Sequence, residues 1–288
     1  MWRRRTLELG GGRTLHVAQA GEGPDLLLIH GALATMHDWI EGPAPSLAQT
    51  HRVTIVDRPG HGGSGRPRFE ATPRDQALHI AAALDALGIA STQVLGHSFG
   101  GFVALALAEQ RPDLVSGLAL LAPLAFPELR AVEHSVLGPR AMPLLGPLLS
   151  AAGEATRFDR AFLALVQRLM FAPAPVPEPW LQAYPFDQIL TPAAMAAEGE
   201  DAAAILPFSP AATLDFATIQ TPTQILQGTS DLIVDRNRHA RPLAAALPHA
   251  ELHEIEAAGH MLHHSHAEAV LAAVERTANH GRSPAETV

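Results

Sequence analysis

Short apolar runs alternate along the chain with longer stretches in which apolar residues recur at helical spacing. The runs at 25–30, 52–57, 92–96 and 115–122 are nearly continuous, as expected for strands covered by helices on both faces. Between the second and third runs, residues 74–87 place apolar side chains on one side of a helix. The alternation predicts an α/β fold with a doubly wound, mostly parallel sheet and helices on both faces.

The alternation is interrupted once. Residues 124–208 are rich in Pro, Ala, Met and aromatic residues and carry few strand signals, although 158–171 has a helical pattern. Strands resume at 222–228 and 250–255, with further helices expected at 99–110, 236–247 and 266–279. Because an interruption of this length is too long for a plain loop, we predict a core domain of residues 1–123 and 209–288 with a helical insertion at 124–208.

Composition narrows the available chemistry. The chain has 288 residues, of which 47% are hydrophobic and 17% charged, as in a folded globular protein. Its net charge of −9 disfavours nucleic acid and anionic membranes as partners. It contains no cysteine, and all 20 basic residues are arginine, so thiolate and lysine Schiff-base chemistry are both excluded.

The first residues give no targeting signal that we recognise. Arg3, Arg4 and Arg5 resemble the basic start of a signal peptide, but no apolar segment follows them. We therefore expect a cytoplasmic protein whose partner is a small-molecule substrate. The sequence leaves the oligomeric state open.

The sharpest local motif is Gly96-His97-Ser98-Phe99-Gly100-Gly101, between an expected strand and an expected buried helix. A serine on such a turn has a strained backbone that small neighbours must tolerate. The helix N-terminus also favours negative charge beside it. The motif predicts Ser98 as a nucleophile, the alternative being a glycine turn with a capping serine.

A serine nucleophile needs a base and a group that orients the base. Asp231 follows the strand at 222–228, and His260 follows the strand at 250–255, in the chain order serine, acid, histidine. Both lie at carboxyl ends of strands, where ligands bind in open α/β sheets. We predict His260 as the base and Asp231 as its orienting acid. Asp235 is the alternative acid, although it is better placed to cap the next helix.

Three further histidines follow His260. His263, His264 and His266 raise the alternative of a metal site, but no carboxylate pair lies near them in the sequence. Solvated or capping roles are therefore predicted for them. No metal and no cofactor is expected.

An oxyanion intermediate requires hydrogen-bond donors. The backbone N–H of Phe99, directly after Ser98, is the first donor predicted. The second is expected in the loop His30-Gly31-Ala32-Leu33, where we choose the N–H of Ala32 over that of Leu33 by analogy.

Taken together, these motifs resemble the α/β-hydrolase family, in its branch of cofactor-free esterases, haloperoxidases and haloalkane-dehalogenase-like proteins. The glycine-rich loop 57–64 adds a fifth match, and the matches extend over most of the chain outside the insertion. The resemblance implies that the insertion is a lid over the active site.

The resemblance also allows several activities found in this family to be set aside. Dehalogenases and epoxide hydrolases of this family use an aspartate nucleophile where this chain has Ser98, and epoxide hydrolases resemble one another in two lid tyrosines where this chain has Tyr184 alone. Hydroxynitrile lyases of a related type use a lysine, which is absent. A serine esterase or similar acyl hydrolase is predicted. A perhydrolase or haloperoxidase, a C–C bond hydrolase and a non-catalytic binding module remain alternatives.

A lipophilic substrate is expected from the apolar character of the insertion. The residues predicted to line the substrate pocket are Trp39, Phe162, Met170, Trp180 and Phe186. For each of them, packing of the insertion onto the core is the alternative interpretation.

Overall fold

The computed structural model describes residues 1–207, 209 and 212–280. Within these residues the chain forms an eight-stranded sheet with the order β1-β2-β4-β3-β5-β6-β7-β8. The strands are Arg3–Gly10 (β1), Arg13–Ala20 (β2), Asp25–Ile29 (β3), Arg52–Val56 (β4), Thr92–His97 (β5), Val115–Leu121 (β6), Thr223–Gly228 (β7) and Ala250–Ile255 (β8). Strand β2 is antiparallel to both β1 and β4, and the other neighbouring pairs are parallel. The predicted fold class is confirmed.

Helices cover both faces of this sheet. The helices before β7 are His37–Ile40 (α1), Ala44–Leu47 (α2), Pro73–Ala86 (α3), Phe99–Gln110 (α4), Ala131–Val136 (α5), Leu145–Ala155 (α6), Phe158–Phe171 (α7), Glu178–Ala183 (α8), Phe186–Ile189 (α9) and Pro192–Ala204 (α10). After β7 come Ala240–Ala246 (α11), Leu262–Ser265 (α12) and Ala267–His280 (α13). Short 3-10 helices occupy Gly138–Ala141 and Phe216–Thr218.

The central strand β3 shows how the two faces divide the core. Leu27 and Ile29 pack with α3, α4 and α11, whereas Leu26 and Leu28 pack with α1, α2 and α13. All four side chains are almost fully buried. Successive side chains of a strand point to opposite faces, so a continuous apolar run is needed where both faces are covered.

Two elements differ from the sequence expectation. Residues 3–20 form the hairpin β1–β2, which was not predicted because β1 is an edge strand with most of its residues exposed. Helix α11 begins at Ala240 instead of near 236, since Asp235 Oδ1 accepts the N–H of Asn237 at 2.8 Å and forms a turn there.

Between β6 and β7 the chain forms the helices α5 to α10, which we call the helical segment (131–204). An apolar cluster joins this segment to the sheet domain, because its Leu163, Phe171 and Tyr184 pack with Leu33 and Met261. The division into core and insertion remains a prediction, and Phe208, Pro210, Ala211 and residues 281–288 lie outside the described residues. None of the described helices combines the length and apolar character that a membrane span requires.

Candidate active site

Ser98 stands on a strained turn between β5 and α4. Its backbone has φ 53° and ψ −119°, outside the regions that L-residues usually adopt. A Cβ added at Gly96 would lie 2.7 Å from the carbonyl oxygen of Gly100, and one added at Gly100 would lie 2.3 Å from that of Ile29. The tight turn therefore requires glycine at both positions. The Ser98 N–H donates to Leu121 O at 3.0 Å, which fixes the turn to β6.

His260 and Asp231 lie together at the carboxyl ends of β7 and β8. The Nδ1 atom of His260 is 2.8 Å from Asp231 Oδ2, and both side chains are 1% exposed. Asp231 Oδ1 accepts the backbone N–H groups of Ile233 and Val234 at 2.7 and 3.0 Å, and Gln227 Nε2 donates to Oδ2 at 3.0 Å. The carboxylate is thus held by four donors.

The electrostatics of Asp231 favour its charged form. Burial alone raises the pKa of a carboxyl group, but the adjacent His260 ring and the two backbone donors outweigh burial here. The pKa of Asp231 consequently lies below its ordinary value. A carboxylate that is ionised beside Nδ1 holds the proton on that nitrogen and leaves Nε2 as the acceptor.

Ser98 and His260 line one cavity of about 360 Å³, a size typical of small-molecule sites. Its apolar wall comes mainly from the helical segment and from loops at the carboxyl edge of the sheet. The larger apolar residues of that wall are Leu33, Phe99, Leu124, Leu129, Leu137, Phe162, Val166, Leu169, Met170, Ile205, Leu232 and Ile233. Four carboxylates (Glu128, Glu133, Glu198, Asp201) and Arg130 also reach the cavity.

Both predicted oxyanion donors are at this cavity. Ala32 and Phe99 line it beside Ser98. The N–H of Leu33, the alternative donor, is already bound to Glu198 Oε1 at 2.6 Å. Ala32 is therefore the better candidate of the two.

The predicted pocket residues separate into two groups. Phe162 and Met170 line the cavity, whereas Trp39, Trp180 and Phe186 do not. Trp39 is fully buried in the core between the sheet and α13. Trp180 and Phe186 belong to the cluster that packs the helical segment onto the sheet domain, so for these three the packing interpretation fits the structure better.

A buried polar cluster behind His260 was missed by sequence reasoning. Asp38 Oδ2 is 2.8 Å from His263 Nε2, and Asp38 Oδ1 is 2.8 Å from His264 Nε2. Burial opposes the charge on Asp38, but the two histidines outweigh it, and the pKa of Asp38 lies well below its ordinary value. His97 lies between the rings of His260 and His263, tilted to both by 51° and 55°, with centroids 4.6 and 4.5 Å away.

This cluster corrects the solvated role predicted for two of the histidines, because the side chains of His263 and His264 are 0% and 5% exposed. One carboxylate, that of Asp38, reaches both of them from a distant part of the chain. Single ligand atoms of Asp38, His97 and His263 lie within 4.8 Å of one another. Both Asp38 oxygens already bind histidine nitrogens, whereas His97 Nδ1 and His263 Nδ1 are buried without a hydrogen-bond partner among the described residues.

A second missed cluster is ionic and joins α10 to the loop after β4. Asp201 Oδ2 contacts Arg58 Nη1 at 2.6 Å and His61 Nε2 at 2.9 Å, and Asp201 Oδ1 contacts Arg66 Nη1 at 2.7 Å. Glu198 Oε1 lies 3.3 Å from His61 Nδ1. These side chains are at most 3% exposed. Arg58 also lies over the Phe99 ring, 4.6 Å from its centroid, so the ionic cluster reaches the turn of Ser98.

Comparisons with known proteins agree on one family. Residues 24–267 match the family model described as alpha/beta hydrolase fold. The uncharacterized protein Rv2715 of Mycobacterium tuberculosis is 30% identical over 276 residues, covering 89% of this chain and 76% of that protein.

Two further similarities concern proteins whose names state an activity. A protein of Pseudomonas savastanoi pv. phaseolicola, named as a candidate carbamate hydrolase, RutD, is 28% identical over 265 residues, covering 85% of this chain and 90% of that protein. The solved structure of epoxide hydrolase CorEH without ligand superposes with a TM-score of 0.79 at 19% identity, covering 98% of this chain and all of that one (100%). At 19% identity, the similarity to the epoxide hydrolase structure shows a shared fold.

Proposed function

Because the chain belongs to the α/β-hydrolase fold family, we propose that it is a serine hydrolase that cleaves a carboxylic ester or a similar acyl compound through an acyl-enzyme on Ser98. One observation supports this most directly. A serine on a strained turn and a histidine bound to a buried carboxylate line the same cavity. Aspartate, the other nucleophile of the family, is absent from position 98.

In the proposed reaction, His260 Nε2 takes the proton of Ser98 Oγ as the oxygen attacks the substrate carbonyl. Asp231 keeps the other ring proton on Nδ1 and stabilises the imidazolium. The N–H groups of Ala32 and Phe99 bind the oxyanion. The leaving alcohol or amine receives the proton from His260.

Deacylation repeats these steps with water. His260 takes a proton from the water, the resulting oxygen attacks the acyl carbonyl, and the second tetrahedral intermediate collapses. The bond to Ser98 Oγ then breaks, the serine regains its proton from His260, and the carboxylic acid is released.

The lining of the cavity supports a neutral, lipophilic substrate. Its walls are mainly aliphatic, and its only arginine, within the described residues, is paired with Glu128 and Glu133 at 2.7 and 2.5 Å. Because that arginine already serves two carboxylates, an anionic acyl group would find no free cation at the cavity within the described residues. An uncharged acyl or alcohol chain is the better fit.

A covalent probe tests this proposal. We expect a fluorophosphonate to label Ser98, identified by mass spectrometry, and esterase activity on p-nitrophenyl esters to fall at least about 10³-fold in Ser98→Ala. A panel of acyl lengths and a neutral carbamate would define the substrate, with peroxide-dependent halogenation measured in parallel. Unchanged ester turnover in a folded Ser98→Ala variant would overturn the proposal, and halogenation exceeding hydrolysis would favour the perhydrolase alternative.

A further inference from the structure

Resting on the function proposed above, we propose that Glu198 and Tyr184 of the helical segment are positioning residues for the oxyanion site. They hold the N–H and the C=O of Leu33, the residue after the candidate donor Ala32. The segment would then complete the site that stabilises the oxyanion, in addition to enclosing substrate.

The two contacts are made to the two backbone polar groups of Leu33. The backbone N–H of Leu33 donates to Glu198 Oε1 at 2.6 Å, and its carbonyl oxygen accepts the Tyr184 hydroxyl at 2.5 Å. All three residues are buried. Burial shields both hydrogen bonds from water, so the two contacts act as tethers on the Leu33 backbone.

Leu33 needs such a tether because its backbone is strained. Its φ of 51° lies in the left-handed region, which costs a residue with a Cβ about 1–2 kcal/mol. Strain of this kind persists only where surrounding contacts impose it. Ala32 and Leu33 share a peptide unit, so relaxation of Leu33 would reorient the loop that carries the Ala32 N–H.

The two tethers are themselves fixed. Glu198 Oε1 also contacts His61, and three residues further along α10 Asp201 binds Arg58 and Arg66. Tyr184 packs between Trp180 and Phe186, with ring centroids 4.8 and 4.9 Å away. Burial raises the pKa of Tyr184 well above its ordinary value, so the phenol keeps the proton that it donates.

A purely structural role is the competing explanation, and α10 supplies a matched control. Glu200 is buried like Glu198 and lies on the same helix, but it binds Arg66, Arg68 and the N–H of Phe69 instead of Leu33. Loss of either carboxylate weakens the attachment of α10. Only loss of Glu198 removes a contact to the oxyanion loop.

The experiment uses the full chain with the variants Glu198→Ala, Glu198→Gln, Tyr184→Phe and Glu200→Gln. For each we would measure kcat and KM on p-nitrophenyl butyrate, inhibition by an alkyl trifluoromethyl ketone, and Tm. The ketone forms a hemiketal with a serine nucleophile and so reports oxyanion binding, whereas KM reports mainly contacts with the ground state.

For Glu198→Ala we expect kcat and ketone affinity to fall together by about 10- to 100-fold with little change in KM. Tyr184→Phe should show the same pattern at about 3- to 10-fold, since a neutral hydrogen bond is lost. Glu198→Gln should retain most activity because the amide oxygen accepts the Leu33 N–H. Glu200→Gln should change Tm without changing kcat.

Three results would overturn the inference. These are an unchanged kcat in Glu198→Ala, a Glu198→Gln variant as impaired as Glu198→Ala, and a Glu200→Gln variant with the same loss of kcat. If Glu198→Ala does not fold, Tyr184→Phe decides, and an unchanged kcat there is the contradicting result. Failure of this inference can be distinguished from failure of the proposed function, because Ser98→Ala would keep full activity only if the proposed function were wrong.

Discussion

The buried carboxylate of Asp201 allows the energy of the ionic cluster to be measured. In Asp201→Asn the side chain keeps its shape, but two almost fully buried guanidinium groups, Arg58 and Arg66, lose their common counter-ion. The N–O distances are 2.6 and 2.7 Å. At an effective dielectric constant of about 20, each pair contributes an attraction of about 6 kcal/mol.

Desolvation offsets part of that attraction. Keeping a carboxylate out of water costs several kcal/mol, and Asp201→Asn removes this cost together with the attraction. Breaking a buried pair on one side typically destabilises a protein by about 3–5 kcal/mol, and we expect this variant to fall in that range. For a chain of 288 residues the corresponding decrease in Tm is about 5–8 °C.

Urea unfolding at pH 7 followed by circular dichroism measures this loss. Asp187→Asn is the control, because Asp187 and its partner Arg160 are 96% and 56% exposed and their pair should contribute less than about 0.5 kcal/mol. A difference of less than about 1 kcal/mol between Asp201→Asn and the original protein would refute the reasoning. The attraction would then merely balance the desolvation.

The loss of stability caused by Asp201→Asn should depend on pH, and the sign of that dependence follows from the pKa shifts. Burial opposes ionisation of Asp201, but Arg66, Arg58 and His61 outweigh it, and the pKa of Asp201 lies below its ordinary value. Stability that derives from a lowered carboxyl pKa is fully present above the pKa of the unfolded chain, about 3.9, and is lost on acidification. The part of the destabilisation that comes from the Asp201 carboxylate should therefore decrease below about pH 4. Between about pH 8 and pH 6 the destabilisation should increase on acidification, because Asp201 helps to raise the pKa of His61 against the effect of burial, and the stability from a raised histidine pKa is fully present only below the ordinary value of about 6.5.

Three further predictions concern the site and its turn. Asp231→Asn should lower kcat on esters by about 10³- to 10⁴-fold, by analogy with the same change in a serine protease triad, and a loss below tenfold would contradict the orienting role. Gly100→Ala should prevent soluble expression or lower stability by more than about 3 kcal/mol, because its Cβ would lie 2.3 Å from Ile29 O, whereas Gly138→Ala, with no atom within 4 Å, should be tolerated. Val166→Phe should raise KM for long acyl esters while leaving acetyl esters unaffected, as measured across an ester panel, and a uniform change would place the acyl chain elsewhere.

The sheet and the turn of Ser98 were predictable because their signals are local. A strand that is covered on both faces is mostly apolar, so β3 to β6 each contain a short apolar run that can be recognised in the sequence. The proximity of Asp231 and His260 follows from the same logic. Both residues lie just beyond parallel strands, and the carboxyl ends of β7 and β8 meet at one edge of the sheet.

The pocket residues were less predictable because composition does not show in which direction a side chain points. An aromatic residue next to a candidate site is apolar whether it faces a cavity or a core. Phe162 lies on the side of α7 that faces the cavity, whereas Trp39 on α1 is buried against α13, and nothing in their local sequence separates the two cases. Only the packing of the surrounding helices decides, and that packing is set by residues far away in the chain.

Three of the contacts that sequence reasoning missed join residues 143 to 225 positions apart, namely Arg58 with Asp201, Leu33 with Glu198 and Asp38 with His263. One compositional signal did exist for the first two. The acidic stretch Glu198–Asp201 lies in an alanine-rich helix, and the loop after β4 carries several arginines. Arginine forms planar, multidentate pairs with carboxylates and is the usual cation of buried ion pairs. An acidic cluster in an otherwise apolar helix and an arginine cluster in a glycine-rich loop are therefore better interpreted as partners in a buried contact than as two separate solvated surfaces. Here that contact attaches α10 beside the turn of Ser98.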